Sequence, residues 1–172
     1  MARLGTLTIF ACVAMMGCQQ VDGETVGPRG GTVVSQDGRL SLEIDPGALA
    51  REVEITITPA DCASMDVDAA GPCYHVGPVG TAFLLPALLT VELEPGDVES
   101  AGDDDLALSA LREHDWNVLA DRNYDPEHGM VAASATYLSS FAVVPLPSEH
   151  GHDHEFDHDD DDDHDDDGPA RP

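Results

Sequence analysis

Lysine is missing from this chain: its 7 basic residues are all arginine, set against 34 aspartates and glutamates, for a formal charge of −27. So one-sided a surface repels nucleic acid and anionic lipid headgroups, and argues against both as direct partners. It leaves cations and basic protein patches. Catalytic signatures are missing as well, with no Gly-x-Ser-x-Gly elbow, no phosphate-binding loop and no His-Glu-x-x-His pair. Helical periodicity is weak throughout. Only one long apolar run occurs, Leu4 to Met16, and it is too short to span a bilayer comfortably.

That run follows Arg3 and ends at Met15-Met16-Gly17-Cys18, which has the form of a signal peptide closing on a bacterial lipobox. The resemblance implies removal of residues 1–17 and acylation of Cys18, with palmitate as one of its chains. The protein is then expected in a bacterial cell envelope, held to the membrane through its lipid anchor. Gln19 is not acidic, which by analogy with enteric bacteria points to the outer membrane. The other reading is an ordinary secretory leader cut near Gly17, with Cys18 unmodified. Residues 18–28 have few apolar side chains and end in Gly-Pro, and read as a tether.

Cys12 lies in the leader and Cys18 is assigned to lipid, so Cys62 and Cys73 remain as a pair. In an exported protein the expected outcome is a disulfide closing a polar loop. The alternative is a metal site with His75 as a third ligand, though the spacing fits no standard zinc knuckle.

From Gly30 to Pro145 the texture is that of short strands. Leu40, Leu42 and Ile44 alternate with polar residues, as do Val53, Ile55 and Ile57. The first strand stops at Asp45-Pro46-Gly47 and the second is expected to end at Pro59. Thr81–Leu85 and Leu89–Leu93 read as separate strands divided by Pro86. Leu106–Leu111 and Trp116–Leu119 form a hairpin about Glu113-His114-Asp115, and Met130–Tyr137 and Phe141–Val144 are the last strands. Residues 97–105 are too acidic for a core and read as a surface loop. Together these predict an all-β antiparallel sandwich.

At this point the residues resemble a ZU5 domain. The likeness lies in Gly30-Gly31-Thr32-Val33, in Leu42-x-Ile44-x-Pro46-Gly47-Ala48-Leu49 and in Val53-x-Ile55-x-Ile57. It resumes at Val76-Gly77-Pro78-x-Gly80, Phe83 and Pro86, and covers about residues 29–95. It implies a ZU5-like β-sandwich over residues 29–147 whose members act by binding other proteins, with no catalytic residues and no required cofactor. Some eukaryotic relatives cut their own backbone at a His-Phe-Ser segment. The corresponding stretch here is Tyr137-Leu138-Ser139-Ser140-Phe141, where Tyr137 replaces the histidine. Ser139 without a neighbouring base is a poor nucleophile. A triad drawn from His114, Asp115 and Ser139 has no sequence support beyond residue type.

Residues 148–172 are predicted to be a disordered acidic tail. His150, His152, His154, His158 and His164 sit there among twelve acids. Imidazole suits zinc, nickel and copper, and carboxylate suits calcium. Weak, exchange-labile binding of divalent cations is the expectation, since ordering such a chain around an ion costs affinity. Two functions follow. In the first, the sandwich is a non-enzymatic interaction or scaffold module for an envelope protein. In the second, the tail is a divalent-metal buffer or carrier.

Overall fold

The computed structural model describes residues 23–146, so the leader, Cys18 and the tail histidines lie outside the described residues. The strands in chain order are β1 (Glu24–Val26), β2 (Gly31–Val34), β3 (Leu40–Ile44), β4 (Val53–Ala60), β5 (Cys73–Gly77) and β6 (Ala82–Glu92). After a short helix α1 (Pro95–Ala101) come β7 (Asp105–Arg112), β8 (Asp115–Val118), β9 (Asn123–Asp125), β10 (Met130–Tyr137) and β11 (Ser140–Leu146). They form two antiparallel sheets, ordered β1-β4-β5-β11-β7-β8 and β2-β3-β6-β10-β9. The all-β sandwich expected from the strand pattern is therefore the observed fold.

The alternation read in the sequence has its physical counterpart in burial. Leu40, Leu42 and Ile44 are buried at 0%, 0% and 2% exposure, while Ser41 and Glu43 between them face out. Leu89 and Val91 of β6, and Val131, Ala133 and Ala135 of β10, fill the same layer. Tyr74, Phe141 and Ala110 stand in register across the other sheet and close the core from that side. Strand β7 does not alternate: Leu106 through Ala110 are all buried. The loop of residues 61–72 lies over its outer face, held there by Cys73 and by Trp116, whose indole N–H donates to the Met65 carbonyl at 3.2 Å. A strand covered on both faces reads as a continuous apolar run.

Several expectations on boundaries fail, each for a tertiary reason. Pro59 does not end β4, which continues to Ala60 with Pro59 opposite Tyr74. β1 flanks only Val53–Ile55, so the missing N–H of Pro59 falls where β4 has no neighbour on its other side. Pro86 likewise does not divide two strands. It lies within β6, where residues 83–86 bulge out against Thr136 alone in β10. The acidic residues after Pro95 form α1 instead of a loop. The Asp97 carboxylate accepts the Glu94 N–H at 2.9 Å and also pairs with Arg39, and Ala101 packs into the core. Part of the expected tether is sheet: Glu24–Val26 pairs with β4, so the ordered unit begins before residue 29. Strands β5 and β9 were not foreseen.

The end of the sandwich carrying α1 is sealed by a polar network between the sheets. Asp37, in the β2–β3 turn, accepts hydrogen bonds from Ser35 and, at 3.0 Å, from the Tyr74 hydroxyl on the opposite sheet. Burial pushes the Asp37 pKa up, but the bonds from Ser35, the Arg39 N–H and Tyr74, with the Arg39 charge, outweigh it and the net shift is down. Tyr74 moves the other way: its burial, then the bond to Asp37 and that carboxylate's charge, hold the phenol well above its usual value. A raised folded-state pKa contributes stability that is complete below the unfolded value, about 10, and is lost as pH rises beyond it. Tyr74→Phe is accordingly expected to cost about 1 kcal/mol at neutral pH through the lost hydrogen bond. It should also flatten the fall in melting temperature above about pH 10. Parallel alkaline limbs in the two proteins would rule this out.

Candidate functional site

Two surfaces stand out against the acidic background. The first is the outer face of the β2-β3-β6-β10-β9 sheet. In register across it run Val34, Ser41, Thr90 and Ala132, and beside them Thr32, Glu43, Leu88 and Ser134. Serine and threonine hold half of these positions, Val34, Leu88 and Ala132 are the apolar ones, and Glu43, with Glu92 two residues beyond Thr90, supplies charge. Val34 is 52% exposed and Leu88 is 46% exposed. Along β6 the β-bulge turns further apolar groups outward, with Leu84 69% and Leu85 48% exposed. Leu84 is held in place by its N–H, which donates to the Ala48 carbonyl at 2.8 Å. Singly scattered exposed hydrophobics are ordinary; here Val34, Leu84, Leu85 and Leu88 all belong to the strands of one sheet.

The second is the open end of the sandwich opposite α1. The loops at residues 45–52, 78–81, 113–114 and 138–139 gather there. A cavity of about 490 Å3 is lined by Arg112 and Leu111 from β7, by Tyr137 from β10, and by Val79, Leu138 and Ser139 between. The Arg112 guanidinium lies over the Tyr137 ring, 5.7 Å from its centroid. The two-residue turn at the rim is taken by Glu113 and His114, with φ of 53° and 83°. Such turns ordinarily carry Asn-Gly, so these residues sit in a costly conformation.

The residues singled out from the sequence fare differently. Cys62 and Cys73 stand at disulfide distance, with Sγ atoms 2.07 Å and Cα atoms 5.4 Å apart. Joined in this way they offer no thiolate to the alternative metal site, and His75 instead pairs through Nδ1 with the Ser140 hydroxyl at 2.8 Å. Reducing the bond is expected to destabilise the fold by about 2–3 kcal/mol on loop-closure grounds. It should raise amide exchange first in residues 62–72, whose other anchors include the Trp116 bond, the Ala70 and Gly71 N–H groups on the Val143 carbonyl and the Val143 N–H on the Pro72 carbonyl. Exchange unchanged in that loop after reduction would contradict it.

Ser139 is buried and its hydroxyl donates to the Leu111 carbonyl, while His114 is exposed and bonded through Nδ1 to the Glu113 carbonyl at 2.7 Å. The two are not hydrogen-bonded to each other, and the Ser140–His75 pair has no carboxylate bonded to its imidazole among the described residues. Leu138 and Phe141 are core residues, as expected. Cys18 and His150, His152, His154, His158 and His164 lie outside the described residues. Among the described residues no group of three or more His, Cys, Asp or Glu side chains is placed to hold a metal, and no helix is long and apolar enough to cross a membrane.

No protein-family model matches the chain, and no curated protein matches it.

The stack of Arg112 on Tyr137 is the feature that sequence reading missed. Its members come from different sheets, and neither belongs to a motif. The signal available was slight: an arginine closing an apolar run in a chain where bases are scarce.

Proposed function

We propose that the chain is a non-enzymatic, lipid-anchored protein of a bacterial envelope whose ZU5-like sandwich binds another protein. The observation that carries this reading is the outer face on which Val34, Leu84, Leu85 and Leu88 are exposed among serines and threonines, with Glu43 and Glu92 as its acids, on a molecule of charge −27. The hydrogen-bonded state of Ser139 and His114 supports the non-enzymatic part. The lipobox at Cys18 supports the anchor.

The test places a photo-crosslinking residue at position 84, 88 or 54 of the full chain in a bacterial envelope. Position 54 is exposed on the other sheet. A partner captured from 84 and 88 but not from 54, and lost with Leu88→Glu, is the expected result. Equal capture from all three positions, or none, would overturn the reading.

A second reading, an envelope metal buffer, is favoured by five histidines set among acids in residues 149–172. Titrating zinc, nickel, copper and calcium into the chain from Gln19 onward, with and without that segment, decides it. Binding that is micromolar or better and vanishes with the segment supports a metal role. Binding indifferent to the truncation removes it.

A further inference from the structure

The two ends of the sandwich are finished in different ways. At the α1 end, Ser35, Asp37 and Tyr74 fill the gap between the sheets with satisfied hydrogen bonds. At the other, the gap stays open as the 490 Å3 cavity, within the range of ordinary ligand pockets. Stacking occupies one face of the Arg112 guanidinium and leaves the N–H donors along its edge. No carboxylate forms an ion pair with Arg112 among the described residues. Val79, Ala82, Leu111 and Leu138 supply an apolar wall. The mouth thus offers a cationic fork beside an apolar hollow. That combination recognises a carboxylate attached next to an apolar side chain.

We propose that the occupant is the chain's own segment Glu155-Phe156-Asp157, with the Phe156 ring in the hollow and a flanking carboxylate on Arg112. Phe156 is the one large apolar residue between Glu149 and Pro172, and it has an acid on each side. The reach is sufficient. Leu146 pairs with Asp105, at the far end of β7 from Arg112, so the proposed docking requires a reach of at least the length of that strand. A β7 of 8 residues is about 25 Å long. The stretch from Leu146 to Phe156 spans up to about 34 Å when extended.

Charge favours this end as well. Arg29, Arg51 and Arg112 stand there, and Arg51 lines an adjoining cavity of about 370 Å3 that shares Val79, Gly80 and Ala82. Asp45, Glu52, Glu113 and Asp115 stand at the same end, so its charges nearly balance, whereas the α1 end sets the acids of residues 94–105 against Arg39. Glu113 also lines the mouth and opposes the carboxylate, so its charge weakens the docking.

The experiment follows the backbone amide shifts of residues 79–82 and 137–139 by NMR in the chain from Gln19 onward. Phe156→Ala is expected to move these amides, and Asp162→Asn to leave them in place. In an Arg112→Ala background, adding Phe156→Ala should move them no further, because the two residues act on one contact. Deleting residues 148–152 cuts the reach to about 17 Å and should reproduce Phe156→Ala. Glu113→Gln should strengthen the docked signal. Each effect should be independent of protein concentration. Mouth amides unmoved by Phe156→Ala would overturn the proposal and leave the mouth to another partner. Shifts that fade on dilution would overturn it in favour of the tail of a second copy.

Discussion

Gly30→Ala is expected to destabilise the sandwich by about 3–4 kcal/mol, a large share of the roughly 5–15 kcal/mol by which a domain of this kind is stable. Gly30 has φ of 73°, and a Cβ there would stand 2.3 Å from the Ile44 carbonyl oxygen and 2.8 Å from the Asp45 carbonyl carbon. Those atoms are backbone and cannot rotate aside. They belong to the end of β3 and the turn after it, and Ile44 pairs with Gly31. Gly38→Ala is the control. Its φ of 77° is just as unfavourable, but a Cβ would meet nothing within 4 Å. It should cost about 1–2 kcal/mol, the left-handed backbone penalty alone. Urea titration of both variants separates strain from collision, and equal losses would show that the close approach at Gly30 does not exist.

Phe141→Ala should cost about 3–5 kcal/mol, the usual range for truncating a buried aromatic to alanine. Phe141 is 1% exposed and lies in β11, the strand that joins β5 to β7 in the middle of its sheet. Phe83→Ala is expected to cost only about 1 kcal/mol, because Phe83 is only partly buried and packs at the edge of the core, where the surroundings can close up. Chemical denaturation measures both. A reversed order would mean that the bulged start of β6 and not the centre of the other sheet holds the main core.

The contrast between these phenylalanines shows how far local pattern reaches. Both sit in apolar runs near glycine or serine, and nothing local ranks them. β3 and β10 were legible because a strand with one wet face writes period-two alternation into its sequence. β5 was not. Cys73 and Tyr74 are consecutive buried residues, one beneath the disulfide loop and one in the core, so the alternation is erased. The surface loop expected at residues 97–105 is helix up to Ala101, because acids there count as surface charge in the sequence alone. The Asp97 carboxylate in fact caps the helix and meets Arg39, a partner far away in the chain. Proline was a poor guide at positions 59 and 86, since its effect depends on whether the absent N–H faced a neighbouring strand.

By itself the sequence determined the fold class and the strong negative charge, and made a Cys62–Cys73 disulfide the expected outcome over a metal site. Fold class and charge rest on short-range periodicity and on composition, and survive without knowledge of what packs where. Only the tertiary structure decided which end of the sandwich is sealed by Asp37 and Tyr74 and which is left open beside Arg112 and Tyr137. It also decided that Ser139 bonds a backbone carbonyl, and that Leu84 and Leu88 are turned outward. Those outcomes depend on strand register and on the crossing of chain segments far apart in sequence, where a shift of one residue sends a side chain to the opposite face.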